Sequence, residues 1–262
     1  MSEQFVLYSK TEDGVGKITL NRPELHNAFN EVFIAQFITV LKNLRSDLEL
    51  KVVTLEAYGK SFCAGADLNW MKKMSDYSFE ENLEDSEQLA ELFHQLNSCP
   101  VPVVLKLHGH ALGGGAGLVA CADEVIAADS AELGFTEVRL GLAPAVISPF
   151  VIAKIGESHA RSTFLSGRRI KSDEAQRMGL VHQVVPSAQL DETFLKRLED
   201  YKASAPKAQR AAKELIKQIV LLPQHEKRRF TTELISNLRI SEEGQSGMKS
   251  LLNKTKPFWV RG

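Results

Sequence analysis

Three short segments of this chain carry residues that could do chemistry. The first, Ser61-Phe62-Cys63-Ala64-Gly65-Ala66-Asp67-Leu68, follows an apolar run ending near Ala57. The second, His108-Gly109-His110-Ala111-Leu112-Gly113-Gly114-Gly115-Ala116-Gly117, follows another ending near Leu107. Both read as strand-to-turn segments built from small residues. Small side chains let backbone N–H groups come close to a ligand. The triple glycine also opens an apolar stretch, Leu118-Val119-Ala120. A helix starting there would present unpaired N–H groups and a positive dipole end. Two N–H groups converging from separate loops would polarise a carbonyl as an oxyanion hole does. Tight packing alone explains such a turn equally well. The third segment, Phe135 to Leu142, sets Glu137 among apolar neighbours. Desolvation there would raise its pKa and suit it to proton transfer, unless a nearby Arg pairs with it.

Other chemistries find no support. No Lys-Ser/Thr follows the glycines, so they are not a nucleotide P-loop, and the G-x-G-x-x-G spacing is absent. No G-x-S-x-G nucleophile elbow is present. The seven histidines show no metal-ligand spacing, and His108 and His110 would point to opposite faces of a strand. No metal site is expected.

The elements that must position these segments are legible from periodicity. Phe5–Tyr8 and Val15–Leu20 read as two strands around Asp13-Gly14. Phe33, Phe37, Leu41 and Leu44 recur at helical spacing. Val52–Leu55, Val101–Leu107 and Val125–Ala128 read as buried strands, so strands and helices alternate in an α/β layering. Beyond Ser187 the pattern turns helical, with stretches over about 207–222, 226–240 and 243–252. Between these parts, Glu80, Glu84, Glu87 and Glu91 would share one face of an exposed helix, or of a lid over a site.

Composition is that of an ordinary globular chain, 44% hydrophobic and 25% charged, with a formal net charge of -1. No apolar run approaches a membrane span, and the start Met1-Ser2-Glu3-Gln4 does not read as a secretory leader. Three widely spaced cysteines, Cys63, Cys99 and Cys121, suit free thiols in a reducing compartment, the cytoplasm. From Lys202 onward there are 13 Lys/Arg against 5 Asp/Glu, a surplus of +8. Solvated helix faces explain it, as does an anionic partner such as a phosphorylated cofactor or, more remotely, nucleic acid.

Taken in order, these segments resemble the crotonase (enoyl-CoA hydratase/isomerase) family over nearly the whole chain. Gly16 to Phe29 (GKITLNRPELHNAF) resembles its first strand and the loop that touches coenzyme A. Ala64-Gly65-Ala66-Asp67 and Ala111-Leu112-Gly113-Gly114-Gly115 resemble its two oxyanion loops, and Glu137 its following carboxylate. Gly167–Val185 and Glu243–Phe258 resemble its later stretch and basic C-terminal end.

The resemblance implies an α/β fold: a crotonase-like ββα spiral core over 1–195 and a helical C-terminal trimerisation region over 196–262. It implies that the N–H groups of Ala64 and Gly114 hold a thioester oxygen and that Glu137 moves the proton. His26, Ala28, Ala64, Gly65, Ala66, Asp67, Leu68, Gly114 and Lys256 would line the acyl-CoA site, with Asp67 structural and Lys254 or Lys256 meeting coenzyme A phosphates. No cofactor is expected beyond the coenzyme A carried by the substrate. The assembly would be a homotrimer, or a hexamer made as a dimer of trimers, with neither membrane nor nucleic acid as partner.

One position departs from the pattern. Hydratases of the family usually carry two glutamates that hold water; the first would fall at Gly117. A single glutamate is also the isomerase pattern. Room left at Gly117 is expected to admit a bulkier acyl chain or an extra water. Asp67–Met71 and Arg139–Pro149 resemble a bacterial subgroup of methylglutaconyl-CoA and carboxygeranoyl-CoA hydratases. A distal carboxylate on such a substrate would favour a cation, which Lys72 or Lys73 could supply; both also read as plain surface lysines. The expected activity is hydration of a 2-enoyl-CoA, 3-methylglutaconyl-CoA of leucine catabolism among the candidates. A Δ3,Δ2-enoyl-CoA isomerase using Glu137 alone is the alternative. A weakly catalytic RNA-binding protein is the alternative of another class, against which the basic region offers few aromatics for stacking.

Overall fold

The computed structural model describes residues 3–260. Met1 and Ser2, part of the start read for a leader, and Arg261 and Gly262 lie outside them. β1 (Val6–Lys10) and β2 (Val15–Leu20) form an antiparallel pair. α1 (Glu31–Arg45) follows, its N-terminus capped where the Asn30 side chain accepts the Phe33 N–H at 2.8 Å. It buries Phe33, Phe37, Leu41 and Leu44, the residues whose spacing marked it. β3 (Val52–Ala57), α2 (Leu68–Met74), α3 (Phe79–Asn97) and β4 (Val103–Leu107) come next. Then follow β5 (His110–Leu112), α4 (Gly114–Cys121), β6 (Glu124–Ala128) and β7 (Glu132–Gly134). α5 (Ser148–Phe164), β8 (Arg169–Lys171), α6 (Ser172–Arg177), β9 (Gln183–Val185) and α7 (Leu190–Ala203) complete the body. The chain ends in α8 (Pro206–Leu221), α9 (Gln224–Ile240) and α10 (Glu242–Asn253).

Six strands make one sheet in the order β1-β2-β3-β4-β6-β9, parallel from β2 onward. A second sheet, β5-β7-β8, turns off it. The chain thus leaves the first sheet after β4 and again after β6, winding as the expected ββα spiral. The parallel strands are buried on both faces, as parallel sheets require. Val53 and Leu55 of β3 face a core shared with α1, α3 and α4, while Val52 faces α7 through Leu190, Phe194 and Leu198. The short strands β5, β7 and β8 were not legible as strands, because three residues carry no alternation to read.

The boundary expected at 195/196 runs through α7. That helix is a covering layer of the sheet, so the helical arm begins at α8. α8 and α9 bury no residue within the chain. The basic surplus of the arm is partly spent on docking. Lys213 Nζ reaches Asp123 Oδ2 at 2.5 Å and the Val101 carbonyl at 3.0 Å. Arg210 donates to the carbonyls of Asp47 and Leu50 at 2.9 and 3.1 Å. Among the described residues no helix is long and apolar enough to cross a membrane. The cysteines Cys63, Cys99 and Cys121 are buried free thiols.

The arm is closed on itself by one acid. Buried Glu243 of α10 accepts the backbone N–H groups of Lys207 and Ala208 at 3.0–3.1 Å, capping α8 from a distance. Glu243→Ala leaves those first-turn donors unpaired. It is expected to cost about 1–3 kcal/mol. Urea unfolding followed by circular dichroism checks this; an unchanged midpoint would show that the cap carries no stability.

Candidate active site

The two Gly-rich loops lie at the carboxyl ends of β3 and β4 and are in backbone contact. Cys63 N–H donates to the His110 carbonyl at 3.0 Å, and Leu112 N–H donates to the Cys63 carbonyl at 2.9 Å. A Cβ added at Gly115 would stand 2.3 Å from the Cys63 carbonyl oxygen, and one at Gly65 3.0 Å from that of Leu112. Only glycine lets these backbones meet.

A third segment is threaded between them. Arg22 NH1 pairs with Asp67 Oδ2 at 2.7 Å and donates to the Ala28 carbonyl at 3.0 Å. Buried Asn27 donates to the carbonyls of Tyr58 and Ser61, both at 2.9 Å, and accepts the Arg22 N–H at 2.8 Å. His26 and Asn27 both take the left-handed conformation, at φ 52° and 55°. That is costly backbone for residues with side chains and needs such fastening. Asp67 also caps α2, accepting Asn69 N–H at 2.7 Å and Trp70 N–H at 3.2 Å. Burial would push its carboxyl up, but these N–H groups and the Arg22 guanidinium outweigh it and hold the pKa down. Arg22 and Asn27 were not singled out from sequence; one polar residue before Pro23 and one four residues after it carry no motif by themselves.

The pairing of Phe29 with Ala66 decides which peptide faces the site. Phe29 N–H donates to the Gly65 carbonyl at 2.7 Å, and Asp67 N–H donates to the Phe29 carbonyl at 2.8 Å. Peptides alternate in direction along such a bridge, so the N–H of exposed Ala66 points the other way and has no partner among the described residues. The N–H of Ala64 donates instead to the His26 carbonyl at 3.0 Å. This corrects the expected donor: Ala64 is spent on structure, and Ala66 is free. Gly114 is the first residue of α4, where helical N–H groups have no intrahelical acceptor. The available donor pair is therefore Ala66 and Gly114.

Glu137 opens a 3-10 turn (Glu137–Leu140) just after β7. A Cβ on Gly113 would lie 3.3 Å from Glu137 Oε1, so the carboxylate stands against the entry to α4. Its Oε2 is buried without a hydrogen-bond partner among the described residues. Arg139 does not pair with it; no ion pair to Glu137 is formed among the described residues. Burial pushes the carboxyl above the ordinary glutamate range, against a smaller pull from its own backbone N–H.

The position of the expected second acid is closed. A Cβ at Gly117 would lie 2.4 Å from Ile147 Cγ2 and 2.9 Å from Phe93 Cε1. Room for a bulkier acyl chain or an extra water is therefore absent there, because buried hydrocarbon fills it. The segment Ala145-Val146-Ile147-Ser148 supplies the side chain, Ile147, that fills it. Glu84 and Glu87 are exposed on α3.

Of the other expected residues, Ala28 is buried beside the Arg22 contact, and Leu68 is 80% exposed at the start of α2. Lys73 is committed to Glu31 at 3.0 Å. Lys256 lies elsewhere. Its neighbour Trp259 accepts from Lys51 Nζ at 2.8 Å, just before β3, and donates to the Ala203 carbonyl at 3.1 Å. That is the amino end of the sheet; β3 alone separates it from the loops by roughly 17–20 Å. Within one chain Lys256 does not reach the site. Among the described residues no three His, Cys, Asp or Glu side chains gather to hold a metal ion.

The family model described as enoyl-CoA hydratase/isomerase matches residues 10–261. The chain is 30% identical to the 2,3-dehydroadipyl-CoA hydratase of Escherichia coli K12, over 92% of each chain. A crystal structure from Legionella pneumophila, provisionally described as an enoyl CoA hydratase/isomerase (crotonase), superposes with a TM-score of 0.93 at 40% identity, over 99% of this chain and 100% of that one. Pseudomonas aeruginosa AtuE superposes with a TM-score of 0.95 at 30% identity, over 98% and 100%.

An unpartnered acid makes a sign prediction about stability. The folded pKa of Glu137 lies above its unfolded value of about 4.3. Its contribution is full below that value and is lost as pH rises through the folded pKa. Glu137→Gln removes the titration. The unfolding midpoint of the variant, relative to the native chain, is expected to rise as pH increases above about 4.3. A difference that stays flat or falls in thermal scans would contradict the burial of an unpaired carboxylate.

Proposed function

The chain belongs to the enoyl-CoA hydratase/isomerase family, and from that premise we propose that it adds water to a 2-enoyl-CoA thioester. The observation that carries this reading is the unpaired Glu137 carboxylate set against the helix entry that offers Gly114 N–H. The thioester oxygen accepts from Ala66 and Gly114 N–H, which draws electron density from the C2–C3 double bond. Ionised Glu137 takes a proton from water as the water oxygen bonds to C3. The electron pair of the double bond passes to the thioester oxygen as an enolate, held by the same two donors. Protonated Glu137 then returns its proton to C2. One carboxylate serves as base and then as acid, and its raised pKa suits both steps. The reaction needs no cofactor beyond the coenzyme A of the substrate.

The relative named 2,3-dehydroadipyl-CoA hydratase supports hydration. The segments Asp67–Met71 and Arg139–Pro149 make 3-methylglutaconyl-CoA, and with it a place in leucine catabolism, the first acyl group to try. One observation favours a second reading. With Gly117 sealed by Ile147 and Phe93, that position offers no second acid to hold water. A Δ3,Δ2-enoyl-CoA isomerase needs only one carboxylate to carry a proton between C4 and C2.

An apolar face on the arm supports a homotrimer or a pair of trimers. Ile216, Val220, Leu221 and Ile240 are each at least 70% exposed on α8 and α9. Large apolar side chains left exposed in this number mark an interface.

Incubation with 3-methylglutaconyl-CoA in heavy-oxygen water, read by mass spectrometry, separates the readings. Hydration adds one labelled water, and Glu137→Gln is expected to lower that rate roughly 100- to 10,000-fold. The acid limb of kcat/KM is expected above the ordinary glutamate range, because the free carboxylate must be ionised to act as base. No label uptake, with a 3-enoyl-CoA converted to its 2-enoyl isomer, would replace hydratase by isomerase.

A further inference from the structure

A side-chain chain crosses all three site loops and takes no part in the chemistry above. His26 Nδ1 lies 3.1 Å from Ser61 Oγ, and Ser61 Oγ lies 3.4 Å from His110 Nδ1. His110 Nε2 stands 3.6 Å from Glu132 Oε2, which in turn faces Arg169 at 3.5 Å. His26 belongs to the segment threaded between the loops, Ser61 opens the first loop, and His110 is the third residue of the second. The backbones beneath them have no slack. Gly109 sits so near Lys60 that a Cβ would stand 2.0 Å from its carbonyl oxygen, and His108 Nε2 lies 3.0 Å from the Gly59 carbonyl.

Hydrogen-bond chemistry gives the chain a direction. A serine hydroxyl has one proton and faces two imidazole nitrogens here. It can donate to only one of them, so the other ring must donate to it. Glu132 favours a proton on His110 Nε2, which leaves His110 Nδ1 as acceptor. Ser61 then donates to His110 and accepts from His26, whose proton must sit on Nδ1. The His26 carbonyl meanwhile accepts the Ala64 N–H, two residues before the free donor Ala66.

We propose that Ser61 is a positioning residue for the oxyanion donors, holding the Ala66 loop and the Gly114 loop in register by bridging His26 and His110. The inference rests on the reading that Ala66 and Gly114 hold the thioester oxygen. Ser61 is buried and touches no reacting atom. It acts through the loops it joins.

Nitrogen-15 NMR of the full-length protein tests the proposal without any substrate. His26 is expected as the Nδ1–H tautomer and His110 as the Nε2–H tautomer. Ser61→Ala is expected to release His26 to the Nε2–H form and to move the amide resonances of Ala66 and Gly114. With 3-methylglutaconyl-CoA as the probe, kcat should fall roughly ten- to hundred-fold with KM little changed. Ser61→Thr, which keeps the hydroxyl, should restore tautomer, resonances and kcat together. His26→Ala, at an exposed position, should move the same two amides if Ser61→Ala does not fold. An Nε2–H tautomer at His26 in the native chain overturns the proposal, as do Ala66 and Gly114 resonances that stay in place in both variants. A protein that turns over no thioester but shows the amide shifts would fail the functional reading and leave the register role standing.

Discussion

The site depends on an ion pair taken out of water. Arg22 and Asp67 are both less than a tenth exposed, and removing two charges from solvent costs more than their attraction alone returns. The cost is offset because each partner does further bonding. Arg22 also donates to Ala28 and lies 4.9 Å over the Phe5 ring, while Asp67 takes two N–H groups at the head of α2. Once Asp67 is anchored, its own N–H is aimed at Phe29. The preceding peptide has to face the opposite way, and Ala66 N–H is left over as a donor. A charge pair at the neighbouring residue therefore selects which amide is left free.

On the other side of that donor pair the constraint is volume. Phe29, Phe93 and Ile147 form an apolar wall under the first turn of α4, and the glycines at 114 and 117 exist because the wall is so close. Burial also leaves Glu137 Oε2 without a hydrogen-bond partner among the described residues and raises its pKa. Fold membership alone would leave both unexplained.

Much of this was legible before the fold was known. Helical spacing found α1 and the three helices of the arm, and small-residue turns after apolar runs found both loops. Glu137 stood out because its neighbours are apolar. What could not be read depends on partners distant in sequence. Choosing Ala66 over Ala64 requires knowing that Phe29 bridges there. The fate of Gly117 requires Ile147 from the approach to α5 and Phe93 from α3. Lys256 was placed by the resemblance of the basic C-terminal end, which gives no position in the fold; Trp259 ties that end to Lys51. The boundary was drawn where strand patterns stop, yet α7 is a helix that belongs to the sheet.

The glycines at 109 and 115 have a consequence for how such a protein can diversify. At each, even a methyl group would press on a carbonyl oxygen of the facing loop, so neither loop can be altered without displacing the other. The donors are closed to piecemeal drift. New acyl preferences must come in through side chains that flank them, such as Leu68 beside Ala66 and Leu140 three residues beyond Glu137, both largely in solvent. In the first loop the constrained and the adjustable positions are thus separated by a single residue, Asp67.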